Sequence, residues 1–209
     1  MINWIAHSWQ VLSYSQDFMI WNSFLAFIPL VLSVWLFRIS QTRSQIWWII
    51  FFIFILFLPN APYVLTDIIH LIALIRQEYS VWTITLVLIP QYLIFILAGF
   101  EAYVISLINL GYYCHQLGKT KSLIVIELIT HALCSLGIYL GRFQRFNSWD
   151  IITKPDSLVD SIVDNLTGKW SVMMISITFI ILVVLYWLMK EITLGLIERF
   201  RYQKTSEMK

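Results

Sequence analysis

Two prolines, Pro59 and Pro62, interrupt an apolar run that extends from residue 46 to residue 75. A proline removes a backbone hydrogen-bond donor and disfavours helical torsions in the residue before it. The run is long enough to cross a lipid bilayer, which takes about 20 apolar residues, yet it cannot form one regular helix. Backbone broken at membrane depth persists only where protein or a water-filled cavity satisfies its polar groups. The break therefore predicts an enclosed polar site, and Thr66, Asp67 and His70 follow it directly.

The composition places most of this chain in lipid. Only 12% of its residues are charged and 59% are hydrophobic, whereas a soluble domain carries about 25% charged residues. A net charge of +2 without a basic stripe excludes nucleic acid as a partner. Cys114 and Cys134 are too few for a disulfide framework. We therefore predict an all-α integral membrane protein whose first partner is the lipid bilayer.

Five apolar segments are predicted to cross the membrane: residues 18–37, 46–75, 81–110, 122–140 and 172–189. The second of these helices is broken at Pro59–Pro62. Residues 1–16 carry apolar side chains at helical spacing and predict a helix that lies in the membrane interface. The predicted organisation is an interfacial helix (1–16), a transmembrane domain (17–189) and a basic cytoplasmic tail (190–209). The Lys and Arg residues of the tail favour binding to anionic lipid at the inner leaflet.

Two paths are open for residues 46–75, namely one discontinuous crossing and a re-entrant hairpin with the prolines at its tip. With five crossings, most Lys and Arg residues of the loops fall on one side of the membrane, whereas a hairpin divides them evenly. Lys and Arg favour the cytoplasmic side. We therefore predict five crossings of the bacterial inner membrane, with the N-terminus outside and the C-terminus in the cytoplasm.

Ionisable side chains lie within the second, third and fourth crossings, whereas the first and fifth are interpreted as scaffold. At about 3.6 residues per turn, Tyr63, Asp67 and His70 share one helical face, and so do Glu127 and His131. Charged groups in a bilayer usually face the bundle interior and pair there. We therefore expect these polar groups to converge on one cavity. The predicted site comprises Asn60, Tyr63, Thr66, Asp67, His70, Glu101, Glu127 and His131.

A second polar segment follows the fourth crossing, over residues 141–150. Arginine and aromatic side chains at the end of a crossing are typical of the bilayer interface. Two arginines can also hold a phosphate or carboxylate, such as a lipid headgroup, and an ion pair between an arginine and Asp150 is the structural alternative. The residues predicted to form this rim or to bind an anion are Arg142, Arg145, Asn147, Trp149 and Asp150.

Three functions are compatible with such a site. Discontinuous helices with acidic groups near the midplane are used by transporters, which favours ion- or proton-coupled handling of a small or lipid-like solute. Alternatively, Asp67, His70, Glu127 and His131 could bind a divalent metal that activates water for hydrolysis inside the bilayer. In the third hypothesis the polar groups bond only to one another in a non-catalytic membrane scaffold. A chain of 209 residues is also compatible with a homo-oligomer.

The segments FLPNAPYVLTDIIHL (57–71) and GRFQRFNSWD (141–150) resemble the two hallmark segments of a bacterial membrane-protein family, the domain-of-unknown-function 1361 family. The similarity extends over most of the chain. This resemblance implies a multi-pass membrane protein without an assigned activity. It directs attention to the prolines and polar residues of the two segments, whereas Glu101, Glu127 and His131 rest on helical geometry alone.

Overall fold

The computed structural model describes residues 12–13, 16–40, 42–77 and 79–207, and all regular elements in these ranges are helical. The predicted interfacial helix over 1–16 lies outside the described residues, apart from residues 12, 13 and 16. Five helical segments are long and apolar enough to cross a membrane, and we call them spans 1 to 5. They are Gln16–Ile39, Gln45–Ile75, Val81–Gln116, Thr120–Phe143 and Lys169–Lys204. The prediction of an all-α, multi-pass membrane protein is therefore confirmed.

Each span is assembled from one or more helical elements. Span 1 contains α1 (Gln16–Val34) and a π turn (Trp35–Ile39). Span 2 contains α2 (Gln45–Phe57), α3 (Asn60–Tyr63), a 3-10 turn (Val64–Asp67) and α4 (Ile68–Ile75). Span 3 contains α5 (Val81–Thr83), a π turn (Ile84–Leu88) and α6 (Ile89–Gln116). Span 4 contains a 3-10 turn (Thr120–Ser122) and α7 (Leu123–Phe143). Two shorter helices follow it, α8 (Asp150–Thr153) and α9 (Pro155–Thr167). The last helix, α10 (Lys169–Glu207), includes span 5.

Span 3 lies at the centre of the bundle and carries the fully buried side chains Tyr92, Tyr103 and Leu107. Span 1 packs along it, and span 2 contacts both of them near its interruption. Span 4 packs chiefly on span 5 and only briefly on spans 2 and 3. Spans 1 to 3 therefore form one group and spans 4 and 5 a second, and the seam between the two groups positions the polar sites.

The interruption of span 2 is a local change of helix type and not an unwound segment. Leu58 and Pro59 both keep right-handed helical torsions, and the Leu58 N–H still donates to the Phe54 carbonyl at 2.9 Å. The expectation that Leu58 leaves the helical region is therefore wrong. The physical reason is that Pro59 and Pro62 lie in the first turn of a new helix, where backbone N–H groups have no intrahelical acceptor to lose.

The two halves of span 2 pack on different neighbours. Helix α2 lies against span 1, whereas α4 lies against span 3, and within the described ranges the two halves do not pack extensively on each other. The arms of a re-entrant hairpin would pack side by side. This arrangement favours a single crossing for residues 45–75.

Glycines let span 2 approach its neighbours at the interruption. A Cβ atom placed on Gly137 of span 4 would lie 2.8 Å from both Cβ and Cγ of the Pro59 ring. On span 3, a Cβ on Gly99 would lie 2.7 Å from a methyl group of Val64. Both distances are well below van der Waals contact, so these two close approaches require glycine.

Helix α10 continues without interruption through residues predicted to form a separate tail. Its 39 residues extend for about 58 Å, while the hydrocarbon core of a bilayer is about 30 Å thick. The boundary predicted at residue 190 falls inside this helix. Lys190 and Thr193 contact spans 4 and 3, so the beginning of the predicted tail belongs to the bundle.

Candidate functional site

The two polar segments of the sequence meet at one end of the bundle. Arg142, at the end of span 4, reaches across to span 2. Its Nη2 donates to the Thr66 carbonyl at 2.8 Å, and its Nη1 lies 3.5 Å from Asp67 Oδ1 and 3.4 Å from the Tyr63 hydroxyl. The guanidinium therefore connects two segments that are 75 residues apart in the chain.

Asp67 is held by side chains from three spans. Its side chain is only 1% exposed, and its Oδ2 accepts from Asn22 Nδ2 of span 1 at 2.7 Å. The half-exposed His70 lies 3.8 Å from Oδ1, the oxygen that also faces Arg142. The Asp67 side chain makes no capping bond to α4. Because an unpaired charge buried at this depth is costly, these three neighbours are what keeps the carboxylate there.

Asp150 organises the segment that follows span 4. Its carboxylate accepts from the Asn147 backbone N–H at 2.7 Å and from the Thr153 hydroxyl at 3.0 Å, and Lys154 Nζ lies 4.0 Å away. The Asn147 N–H lowers the pKa of Asp150 below its usual range, with Thr153 and Lys154 acting in the same direction. The predicted ion pair between Asp150 and an arginine is therefore not formed, because local donors occupy this carboxylate.

A cleft of about 540 Å³ opens between spans 1, 2 and 4, next to the segment over residues 145–151. Asn60 closes part of its wall, because Asn60 Nδ2 donates to both the Phe57 carbonyl and Ser148 Oγ at 2.9 Å. Polar groups at the cleft mouth come from Asn22, Asn60, Tyr63, Arg145, Asn147 and Ser148. The rest of the lining is mostly apolar, apart from Thr130, and includes Leu25, Ile55, Leu56, Leu133 and Leu136. The cleft is therefore amphiphilic.

The two arginines of the second segment have different roles. Arg142 is engaged by span 2 and does not line the cleft. Arg145 is exposed, lines the cleft, and forms no hydrogen bond or ion pair with the described part of the chain. Arg142 already has partners in span 2, so of the two arginines Arg145 is the one available to an anion in this structure. Trp149 is 42% exposed and lies outside the cleft lining, so it does not cover the site.

Glu127 and His131 belong to a second polar cluster, between spans 3, 4 and 5. Glu127 Oε1 accepts from the Tyr186 hydroxyl at 2.6 Å and from Lys190 Nζ at 2.5 Å. The buried His131 has its Nδ1 2.6 Å from the Tyr103 hydroxyl, and its ring centre lies 4.7 Å from that of Tyr186. These contacts fasten spans 4 and 5 to the central span.

The polar residues therefore do not converge on one cavity. Arg142 marks the position of Asp67, and Glu127 lies about 22 Å from Arg142 along the axis of α7. The residues proposed as metal ligands, Asp67, His70, Glu127 and His131, are thus divided between two places, and the described residues contain no group of three His, Cys, Asp or Glu side chains able to hold a metal ion. The four residues therefore do not share one site in the described structure, because spacing along one helix does not determine distances between helices.

Several partner residues were not predicted from the sequence. Asn22 is a polar residue in a largely apolar span 1, and such a residue indicates a polar partner within the bundle. Lys190 was assigned to the tail, although it directly follows the apolar part of span 5. Spans 1 and 5 were interpreted as scaffold, yet they supply partners for Asp67, Glu101 and Glu127.

Most of the chain is similar to one known protein family. Residues 21–184 match the model of a family described as a protein of unknown function, DUF1361. Comparisons with curated proteins and with solved structures gave no match. The family match takes in both polar segments and every residue that lines the cleft. The resemblance seen in the sequence is therefore confirmed, and the chain belongs to the DUF1361 family.

Proposed function

We propose that the protein binds a lipid-like solute in the cleft between spans 1, 2 and 4 and handles it in an ion- or proton-coupled process. The observation that carries this proposal is the amphiphilic lining of the cleft. Its volume of about 540 Å³ falls within the usual range of small-molecule sites, about 300–1,000 Å³. The apolar walls suit a hydrocarbon chain, and the polar mouth suits a headgroup.

Arg145 makes an anionic headgroup the best match for the cleft mouth. Its guanidinium has no partner among the described residues, whereas Arg142 is neutralised by Asp67 and Asp150 is engaged by its own segment. Asn147 and Ser148 add an amide and a hydroxyl to the same rim. A phosphate or carboxylate would gain charge-assisted hydrogen bonds there, which are stronger than those between neutral groups.

The coupling part of the proposal rests on ionised groups inside the spans. Such groups are costly in a bilayer and often mark ion or proton pathways. The Asp67–Arg142 pair adjoins the cleft through Asn22 and Tyr63, both of which line it. A headgroup that draws Arg142 away would leave Asp67 to take up a proton or a cation. The residues of the alternative metal-dependent hydrolase are divided between two places, which disfavours that function.

We further propose the inner membrane as the location, with the cleft opening at the outer side and the C-terminus in the cytoplasm. In this orientation Arg38 and Arg43 lie at the cytoplasmic side, where both contact span 3. Arg38 Nε donates to Asn109 Oδ1 at 2.8 Å and Arg43 Nε to the Tyr113 hydroxyl at 2.7 Å. Anionic lipid is the proposed partner, and the homo-oligomer remains a prediction.

Lipid retention by the purified protein tests the cleft. Native mass spectrometry would compare phosphatidylglycerol, which is anionic, with phosphatidylcholine of the same acyl chains. We expect the wild type to retain one phosphatidylglycerol, and Arg145→Gln to bind it about tenfold more weakly, a loss of about 1.4 kcal/mol. Leu136→Trp should fill the apolar part of the cleft and abolish binding of either lipid.

Lys154→Gln is the matched control, because it removes the same charge from the same surface outside the cleft. It should bind like the wild type. Equal retention of the two lipids by the wild type, or unchanged binding by both Arg145→Gln and Leu136→Trp, would contradict the proposal and favour the scaffold hypothesis.

A further inference from the structure

Glu101 and Glu127 face the same stripe of span 5 but have unequal partners there. Tyr186, Lys190 and Thr193 lie at positions i, i+4 and i+7 and share one helical face. Glu127 accepts from the first two, one of which is a cationic amine. Among the described residues, Glu101 Oε1 accepts only from the Thr193 hydroxyl, at 2.6 Å. One of the two carboxyl groups therefore has a counter-charge and the other has none.

The second oxygen of Glu101 is buried and unsatisfied. Oε2 has no hydrogen-bond partner, and no Lys, Arg or His side chain of the described residues forms an ion pair with this carboxyl group. The titratable groups on this side of the bundle include Tyr103, Cys114, Glu127, His131, Cys134, Tyr186 and Lys190, and the amine among them is bound to Glu127. An ionised carboxylate with a single hydroxyl donor is costly inside a bilayer, whereas the neutral acid avoids burying that charge.

We infer that Glu101 is a proton-binding site within the membrane, protonated at neutral pH, while Glu127 is paired with the Lys190 amine. Lys190 lies one helical turn from Thr193 on α10, so a movement of its side chain from Glu127 towards Glu101 would give this proton a way to exchange. If the amine moved from Glu127 to Glu101, Glu101 would release its proton and Glu127 would take one up, so the net charge of the group would not change. An amine that can pair with either of two carboxyl groups is thus a two-state element of the kind that ion or proton coupling requires.

This inference rests on the coupling part of the proposed function and does not depend on the cleft. The test uses dicyclohexylcarbodiimide, an apolar reagent that adds to protonated carboxylic acids. The acid proton passes to a carbodiimide nitrogen and the carboxylate oxygen attacks the central carbon. The adduct rearranges to an N-acylurea with no leaving group, so the protein gains the whole mass of the reagent. Oε2 itself is buried, but the residue as a whole is partly exposed, so a rotation of the side chain brings the carboxyl group to a reagent dissolved in lipid.

We expect one adduct per chain at neutral pH, located by peptide mass spectrometry at Glu101 and not at Glu127. Glu101→Gln should lose the adduct completely. Lys190→Met should add a second adduct at Glu127, because that carboxyl group then lacks its counter-charge. Glu127→Gln should reduce labelling at Glu101, because the freed Lys190 amine can pair with it.

Two results would overturn the inference. One is a wild type that is labelled at Glu127 and not at Glu101. The other is a wild type without labelling at Glu101 whose infrared spectrum also has no protonated carboxylic acid band that Glu101→Gln removes. Arg145→Gln should be labelled like the wild type, so a failure of the cleft proposal and a failure of this one are distinguishable.

Discussion

Asp67 is a buried acid whose partners come from three different spans, and the packing of this end of the bundle depends on it. Asn22 satisfies one oxygen and Arg142 faces the other, while His70 lies at the exposed edge. The contact with Arg142 therefore has two effects. It neutralises a charge in the interior, and it fixes the end of span 4 against the first turns after the interruption in span 2.

Arg142→Gln should destabilise the protein by about 3 kcal/mol, because it leaves the buried Asp67 carboxylate without its counter-charge. Asp67→Asn should cost less, and the double variant should recover part of the loss, since two neutral side chains leave no unpaired charge. Denaturant unfolding in lipid nanodiscs measures these differences. Lys154→Gln is the control, since Lys154 is 65% exposed and its loss should cost little. Strictly additive effects of the two changes would rule out the coupling.

The sequence identified the acid but not its partner. Asp67 was predicted because a carboxylate just after a proline break in an apolar run is unusual. Arg142 was predicted separately as an interfacial residue. Their pairing depends on how spans 2 and 4 are rotated towards each other, which no spacing within either segment determines. The same reason explains why Glu127 was assigned to the wrong group of residues.

At the scale of elements, the interruption of span 2 and the glycines opposite it form one packing unit. The prolines shorten the helical segments, and the resulting turn fits only where Gly99 and Gly137 present no side chain. The sequence predicted the interruption from Pro59 and Pro62. It could not predict the role of the glycines, because a glycine that faces lipid and one that faces a neighbouring helix look the same in a single sequence.

Gly137→Ala should lower stability by about 1–3 kcal/mol, because its methyl group would meet the rigid Pro59 ring and separate spans 2 and 4. Gly195→Ala is the matched control. It lies in helix α10 with nothing within 4 Å of its Cβ position, so it should be neutral or stabilising by up to about 1 kcal/mol. Thermal unfolding in detergent compares the two. Equal stability of both variants would show that the close approach is not needed.

At the scale of the whole molecule, the packing of spans 1 to 3 against spans 4 and 5 creates two separate polar sites. One lies by the cleft, with Asp67 and Arg142. The other lies along span 5, with Glu101, Glu127 and Lys190. Composition and length predicted the membrane class and the number of crossings. They could not predict which spans are neighbours, because lipid-facing and packed surfaces of such helices are both largely apolar.

Labelling of introduced cysteines tests the proposed orientation. Ser157→Cys lies in the exposed segment after span 4, and Lys204→Cys lies near the end of α10. A membrane-impermeant maleimide should label position 157 in intact cells and position 204 only after the cells are permeabilised. The native Cys114 and Cys134 are buried, so background labelling should be low. The opposite pattern would place the cleft on the cytoplasmic side.

The polar stripe of span 5 also has a mechanical consequence. Tyr186, Lys190 and Thr193 fix the rotation of α10 about its own axis, and a turn by a single residue, about 100°, would withdraw all three from their carboxyl partners at once. The same helix continues to Glu207, well beyond the thickness of the hydrocarbon core. A torque applied to the far end of α10 would therefore be transmitted to two acids inside the membrane.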